Sequence, residues 1–187
     1  ALLSNMAGRS KLPCAVLLPC AIACGWSEGP PAGAPDAGHE FEPYFDGHSL
    51  DGFELVGISA SDVRVEGGVL ECSCLPNGYL YKNEIFRNFV LRLEFRFERP
   101  DDLAPGADAT FFGNSGYFVH LAPPHEIWPR CLEVQGSYQE TGDVFGLPGL
   151  LPANDAPDFA KLEAARRPVG EWNDLEISSQ EGALEVA

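Results

Sequence analysis

Residues 89–98 constrain the fold of this chain more than any other segment, because apolar and polar side chains alternate along them. Apolar residues occupy every odd position: Phe89, Leu91, Leu93, Phe95 and Phe97 alternate with Val90, Arg92, Glu94, Arg96 and Glu98. A period of two is typical of a β-strand with one face buried and the other in solvent. The segment therefore predicts a sheet that packs its odd-numbered face against a second layer.

Shorter segments continue the β pattern along the chain. Residues 63–65 and 69–74 flank a Gly67-Gly68 pair and predict a hairpin. Further strands are indicated at 79–81, 117–121, 131–135 and 175–177, whereas only 159–167 suits a short helix, ended before Pro168. Short strands separated by turn residues predict an all-β sandwich of two antiparallel sheets.

In such a sandwich one parity fills the space between the sheets, and the other can line an open surface. The residues that we expect on this surface are Arg92, Glu94, Arg96, Phe118, His120, Glu133 and Gln135. They would bring acidic, basic, amide and aromatic groups together. The pattern predicts one shared platform compatible with a sugar.

The first residues have the features of an export signal. Met6 is the only methionine, Arg9 and Lys11 follow it, and residues 12–23 are apolar apart from two cysteines. A run of this length is too short to span a bilayer, which needs about 20 residues. It is typical of the apolar region of a signal peptide.

Cys24 is the predicted lipidation site, because Ala23 and the apolar run before it resemble a bacterial lipobox. Cys20 is a weaker candidate because Pro19 precedes it. We therefore expect a signal peptide over residues 1–24, a flexible Pro/Gly/Ala linker over 25–40 and a folded domain over 41–187. The protein would be extracytoplasmic and lipid-anchored to a bacterial membrane; ordinary secretion and a buried helix are the alternatives.

Charge and cysteine content restrict the partners. The formal charge of −16 disfavours nucleic acid and anionic lipid, so the lipid anchor is the only membrane contact expected. Cys72, Cys74 and Cys131 lack zinc-site spacing; either one of the first two is bridged to Cys131 or all are free thiols. Acidic loop residues without a calcium pattern, such as Asp108, predict no metal, and no cofactor is expected.

Several motifs resemble one known family. The run at 45–53, Phe-Asp-Gly-His-Ser-Leu-Asp-Gly-Phe, resembles the opening of 3-keto-disaccharide hydrolase domains, with Phe53 where the family usually has tryptophan. Later motifs are similar in the same order, at 65–70, 88–96, 113–120, 132–135, 141–146 and 170–177. The resemblance implies a concanavalin A-like jelly roll. Family members continue beyond the last motif, so we expect the final strands to be missing from this chain.

The resemblance implies cleavage of the glycosidic bond of 3-keto-disaccharides or other 3-keto-glycosides. A ketone at C3 acidifies the C2 hydrogen, so the C1 substituent can leave by elimination before water adds. Such a route needs a base, an acid and a partner for the enolate oxygen. The candidates are His120 or Glu133 as base, Arg96 for the enolate, and Glu94 or Glu133 as acid. The candidate substrate-binding residues are Gln135, Asn114, Trp128 and Phe118.

Other interpretations remain open at this stage. The fold also hosts lectin-like sugar-binding modules, and an incomplete domain would be an inactive fragment. Glu94 and its arginine neighbours are equally consistent with a charged outer face, and His120 with a structural role. Trp128 either stacks on a sugar or plugs the end of the sandwich.

Overall fold

The computed structural model describes residues 16–18, 41–72, 75–148 and 158–187, and the fold in this part of the chain is all-β, as predicted. One short α-helix accompanies the strands. The strands are β1 (Val16–Leu18), β2 (Phe53–Val56), β3 (Val63–Glu66), β4 (Val69–Cys72), β5 (Tyr79–Lys82) and β6 (Phe89–Phe97). They continue with β7 (Gly116–Ala122), β8 (Arg130–Gln135), β9 (Val144–Leu147), β10 (Asn173–Gln180) and β11 (Ala183–Val186), and α1 (Phe159–Ala165) lies between β9 and β10.

The strands form antiparallel sheets that agree with the predicted jelly-roll sandwich. The larger sheet has the order β11-β10-β6-β1-β4-β3, and a three-stranded sheet has the order β7-β8-β9. A pair formed by β2 and β5 lies beside β7, where Tyr79 contacts Phe118. Strand β6 forms the longest pairing described in the large sheet, in which β10 pairs with it from Phe89 to Phe95.

The main core lies between the six-stranded and three-stranded sheets. Leu93, Phe95 and Phe97 of β6 are buried, as their alternation predicted, and they pack with Val119 of β7 and Val134 of β8. Burial of a large apolar side chain stabilises the fold by about 1.5–3 kcal/mol. The packing fixes which residues of each sheet face outward.

The predicted β3–β4 hairpin is confirmed. Gly67 and Gly68 both have positive φ, 59° and 82°, which a two-residue turn of this type requires and glycine adopts without strain. The predicted helix is also present: the Asp158 side chain accepts from the Lys161 N–H at its start, and it ends at Ala165, ahead of Pro168.

Part of the predicted signal segment forms strand β1, where Val16 pairs with Cys72 of β4 and Phe97 of β6. The rest of the predicted signal, Cys24 and the linker lie outside the described residues, so export and lipidation stay predictions. Within the part described, no helix is long and apolar enough to cross a membrane.

Cys131 is a buried free thiol that is not bridged to Cys72. Cys72 lies on β4 and Cys131 on β8, in different sheets, so the predicted alternative of a bridge between these two is wrong. Burial raises the pKa of Cys131 to about 12, and its thiol therefore stays protonated at neutral pH. Cys74 lies outside the described residues.

Candidate functional site

The predicted catalytic residues do not share one surface. Glu94 and Arg96 lie on β6 of the six-stranded sheet, whereas Glu133 lies on β8 of the three-stranded sheet. Because Phe95 and Val134 point into the core between the sheets, the three polar side chains face outward in opposite directions. The prediction of a single platform is wrong, since parity determines the face of a strand but not the sheet that the strand joins.

The outer face of the six-stranded sheet is a charged surface. Arg92 Nε lies 2.6 Å from Glu176 Oε2 on β10, and both side chains are partly exposed. The Arg96 guanidinium stacks on the Trp172 ring, 4.8 Å from its centroid. Arg96, the predicted partner of the enolate oxygen, is therefore in contact with Trp172. Glu94 is exposed and lies opposite Asp174 in register.

His120 is turned away from the face that carries Glu133. A β-bulge interrupts the pairing of β7 and β8 after Val119, and His120 adopts a left-handed backbone with φ 54°. Its Nε2 lies 3.0 Å from Oγ of Ser179, a buried residue of β10. The placement of His120 beside Glu133 is therefore wrong, because a bulge re-aims the side chain that regular alternation would have put there.

Glu133 lies between two phenyl rings on the outer face of the three-stranded sheet. Phe118 of β7 is its register partner on one side and Phe145 of β9 on the other. We call Phe118, Glu133 and Phe145 the aromatic row. Side chains directly opposite each other on neighbouring strands lie about 4.5–5.5 Å apart at Cβ. The half-buried position raises the pKa of Glu133, because burial disfavours the carboxylate.

The Glu133 carboxylate leans toward β7. A Cβ added to Gly116 would overlap its Oε1, so the missing side chain at this position makes room for the carboxylate. Gln135 lies opposite Gly116 in register, on the same face of β8 as Glu133. Its side-chain oxygen Oε1 accepts the Ser137 N–H at 3.0 Å, which fixes the orientation of the amide.

A group of polar aromatic side chains borders the row on the β7 side. Tyr79 packs edge-on against Phe118, with ring centroids 5.2 Å apart, and Tyr81 stacks on His125 at 4.4 Å. The Tyr81 hydroxyl donates to Glu54 at 2.6 Å, which raises the pKa of Tyr81 to about 12. These residues were not among the predicted site residues, although Tyr79 and Tyr81 alternate around Leu80.

Two buried polar atoms in this group have no hydrogen-bond partner within the described part of the chain. They are the Tyr79 hydroxyl and the His125 Nδ1. Burial, with a smaller contribution from Cys131, raises the pKa of Tyr79, so the phenol keeps its proton. A buried donor without a partner costs about 1–3 kcal/mol. A ligand whose polar atoms bond to these two groups would remove this cost, so this side of the aromatic row suits a polar ligand.

The remaining predicted contacts lie in loops around the same sheet. Asn114 is exposed two residues before β7. Trp128 lies in the loop between β7 and β8 and is 58% exposed, so the alternative in which it plugs the sandwich is wrong. The prediction that Asn114 and Trp128 bind substrate stays open.

No cluster of three His, Cys, Asp or Glu side chains in the described ranges could hold a metal ion. The acidic loop residue Asp108 is used structurally: its Oδ1 accepts from Arg99 Nη1 at 2.7 Å and its Oδ2 from the Val169 N–H at 3.2 Å. These bonds join the loop after β6 to the segment before β10.

Comparison with known families identifies the chain. The model of the 3-keto-alpha-glucoside-1,2-lyase-like domain matches residues 40–187. The chain belongs to this family. The resemblance inferred from its motifs is thereby confirmed, and membership in this 3-keto-alpha-glucoside-1,2-lyase-like family supports an enzyme that acts on glycosides. No curated protein and no solved structure matches the chain.

Proposed function

We propose that this protein cleaves 3-keto-glycosides by elimination across C1 and C2, with Glu133 as the general base. The observation that carries the proposal is the aromatic row, in which a half-buried carboxylate lies between Phe118 and Phe145 on an outer sheet face. Sugar rings present apolar C–H faces that stack on aromatic side chains. The 1,2-lyase-like character of the family agrees with this chemistry.

The elimination follows from the ketone. Glu133 takes the hydrogen from C2, the electron pair forms the enolate of the C3 carbonyl, and the C1–O bond then breaks. The leaving oxygen takes a proton from the now protonated Glu133 or from water, and the product is an unsaturated 3-keto sugar to which water adds. The raised pKa of Glu133 makes it a stronger base than an exposed carboxylate and places it nearer to the working pH.

The polar aromatic group supplies the hydrogen-bond donors that this reaction needs. Tyr79 is a protonated phenol at neutral pH and burial raises its pKa further, whereas the Tyr81 proton is already donated to Glu54. The Tyr79 hydroxyl, or the imidazole of His125, can donate to the enolate oxygen, and such a hydrogen bond is worth more in a water-poor site than in solution. Gln135 and Asn114 are the candidates for orienting sugar hydroxyls.

Turnover of a 3-keto-disaccharide by the purified protein tests the proposal, with the unoxidised disaccharide as a second substrate. We expect turnover of the keto sugar alone and a loss of at least about 100-fold in Glu133→Gln. Glu94→Gln is the matched control, because it removes a carboxylate from the opposite outer face and should stay within about 2-fold. Absent turnover, or equal losses in both variants, would overturn the assignment; binding without turnover would indicate a lectin-like module.

We also propose that the protein is exported and lipid-anchored at Cys24, on the strength of the lipobox-like sequence. In a bacterial host, the wild type should partition into detergent and carry a lipid mass at a new N-terminal Cys24. Cys24→Ser should stay in the aqueous phase. An intact N-terminus that retains Val16–Leu18 would contradict export and leave β1 as a permanent strand.

A further inference from the structure

We infer that Phe145 is the platform for the leaving group, and that the protein prefers 3-keto-glycosides whose C1 substituent has a flat apolar face. The inference rests on the proposed function and assigns the two sides of the aromatic row. The 3-keto ring lies over β7, above Gly116 and beside Phe118, and the leaving group lies over β9.

The direction of the Glu133 carboxylate indicates where the keto ring binds. The Glu133 carboxylate occupies the space where a Gly116 side chain would stand, so it reaches toward β7 and away from β9. The hydrogen that it removes belongs to the sugar ring that carries the ketone. That ring must therefore lie on the β7 side of the aromatic row.

The position of the hydrogen-bond donors indicates the same side for the keto ring. Tyr79 contacts Phe118 on the β7 side of the row, Tyr81 contacts Tyr79, and His125 contacts Tyr81. The enolate oxygen on C3 needs a donor, and the Tyr79 hydroxyl, which has no partner among the described residues, is available for it. C3, C2 and C1 are consecutive atoms of the ring. When the C3 oxygen points to the β7 side and C2 lies above Glu133, C1 and its substituent lie on the β9 side.

Phe145 is the side chain that meets the C1 substituent there. It is 39% exposed, although its neighbour Val144 packs against the main core and holds β9 in place. The Phe145 ring is thus positioned by the strand while its outer face stays open. An exposed aromatic ring next to a catalytic carboxylate suits a second sugar ring or an aryl group rather than a small alkyl group.

The test compares benzyl and methyl 3-keto-glucosides, whose leaving alcohols have similar basicity and differ in the apolar ring. In Phe145→Ala we expect kcat/KM to fall about 10-fold or more for the benzyl substrate and to stay within about 2-fold for the methyl one. Phe145→Tyr should retain both activities. Phe118→Ala should lower both to a similar extent, because both substrates place the same keto ring there.

The outcomes separate the two claims. Equal losses on both substrates in Phe145→Ala, or a benzyl-selective loss in Phe118→Ala, would overturn the leaving-group assignment while the proposed function stands. If the wild type turns over neither substrate, the proposed function fails and this inference fails with it. Melting temperatures of the Phe145 variants should stay close to that of the wild type, since Phe145 lies outside the core.

Discussion

His120 Nε2 lies 3.0 Å from Ser179 Oγ and joins β7 of one sheet to β10 of the other. Ser179 is only 2% exposed, so its hydroxyl is shielded from water and the imidazole is the partner that satisfies it. The bond accompanies a positive φ at His120, a conformation that a non-glycine residue keeps only where surrounding contacts hold it. His120 acts at the junction of the sheets rather than beside Glu133.

Replacing His120 by alanine should destabilise the fold and spare catalysis. We expect a loss of about 1–3 kcal/mol in the free energy of unfolding, because the buried Ser179 hydroxyl is left without this partner. Urea denaturation measures the loss, and turnover of a 3-keto-glycoside should stay within about 3-fold. The double variant with Ser179→Ala should recover part of the stability. A 100-fold loss of turnover at unchanged stability would restore His120 as a catalytic candidate.

Gly116→Ala should lower activity by displacing the Glu133 carboxylate. The added Cβ would overlap Oε1, and the carboxylate must turn aside. Displacement of a catalytic group by about 1 Å can cost about 100-fold, so we expect a fall of about 10- to 100-fold in kcat with little change in melting temperature. In the Glu133→Gln background the same substitution should have no further effect. Additive losses would mean that Gly116 acts independently of Glu133.

Glu133→Gln should stabilise the protein at neutral pH. Burial raises the pKa of Glu133 in the folded state above its unfolded value, so the stability that this group contributes is full below an unfolded pKa of about 4.3 and is lost as pH rises through the folded pKa. Melting temperatures from pH 4 to pH 8 should show the wild type below the variant at pH 7 and the difference closing toward pH 4. A constant difference would show that Glu133 is not desolvated.

Asp46→Asn should destabilise the protein at neutral pH and lose this effect in acid. The His48 and Ser49 backbone N–H groups donate to Asp46 Oδ1 at 2.7 and 2.8 Å and lower the pKa of Asp46 to about 2. Its contribution is therefore present above an unfolded pKa of about 3.9 and is lost as pH falls through about 2. The difference in melting temperature between the two proteins should shrink over this range. An unchanged difference would mean that the negative charge is not what the turn requires.

The alternation along β6 was enough to predict both its buried face and the sandwich. Leu93, Phe95 and Phe97 are buried because a strand places every second side chain on one face, whatever the neighbouring strands are. For the same reason Phe118, Glu133 and Gln135 could be predicted to share a face of β7 and β8. The family motifs could also be recognised in the sequence.

The composition of the site depended on contacts between distant parts of the chain. Glu94 and Arg96 lie on the opposite outer face of the sandwich because β6 pairs with β10. His120 does not share the face of Glu133 because of a bulge in β7, which the local sequence pattern does not predict. Phe145 joined the row only through the register of β8 and β9. The sequence by itself determined which faces of the strands are apolar, since periodicity is local; the tertiary structure decided which faces meet, since strand pairing and register are set by packing across the whole domain.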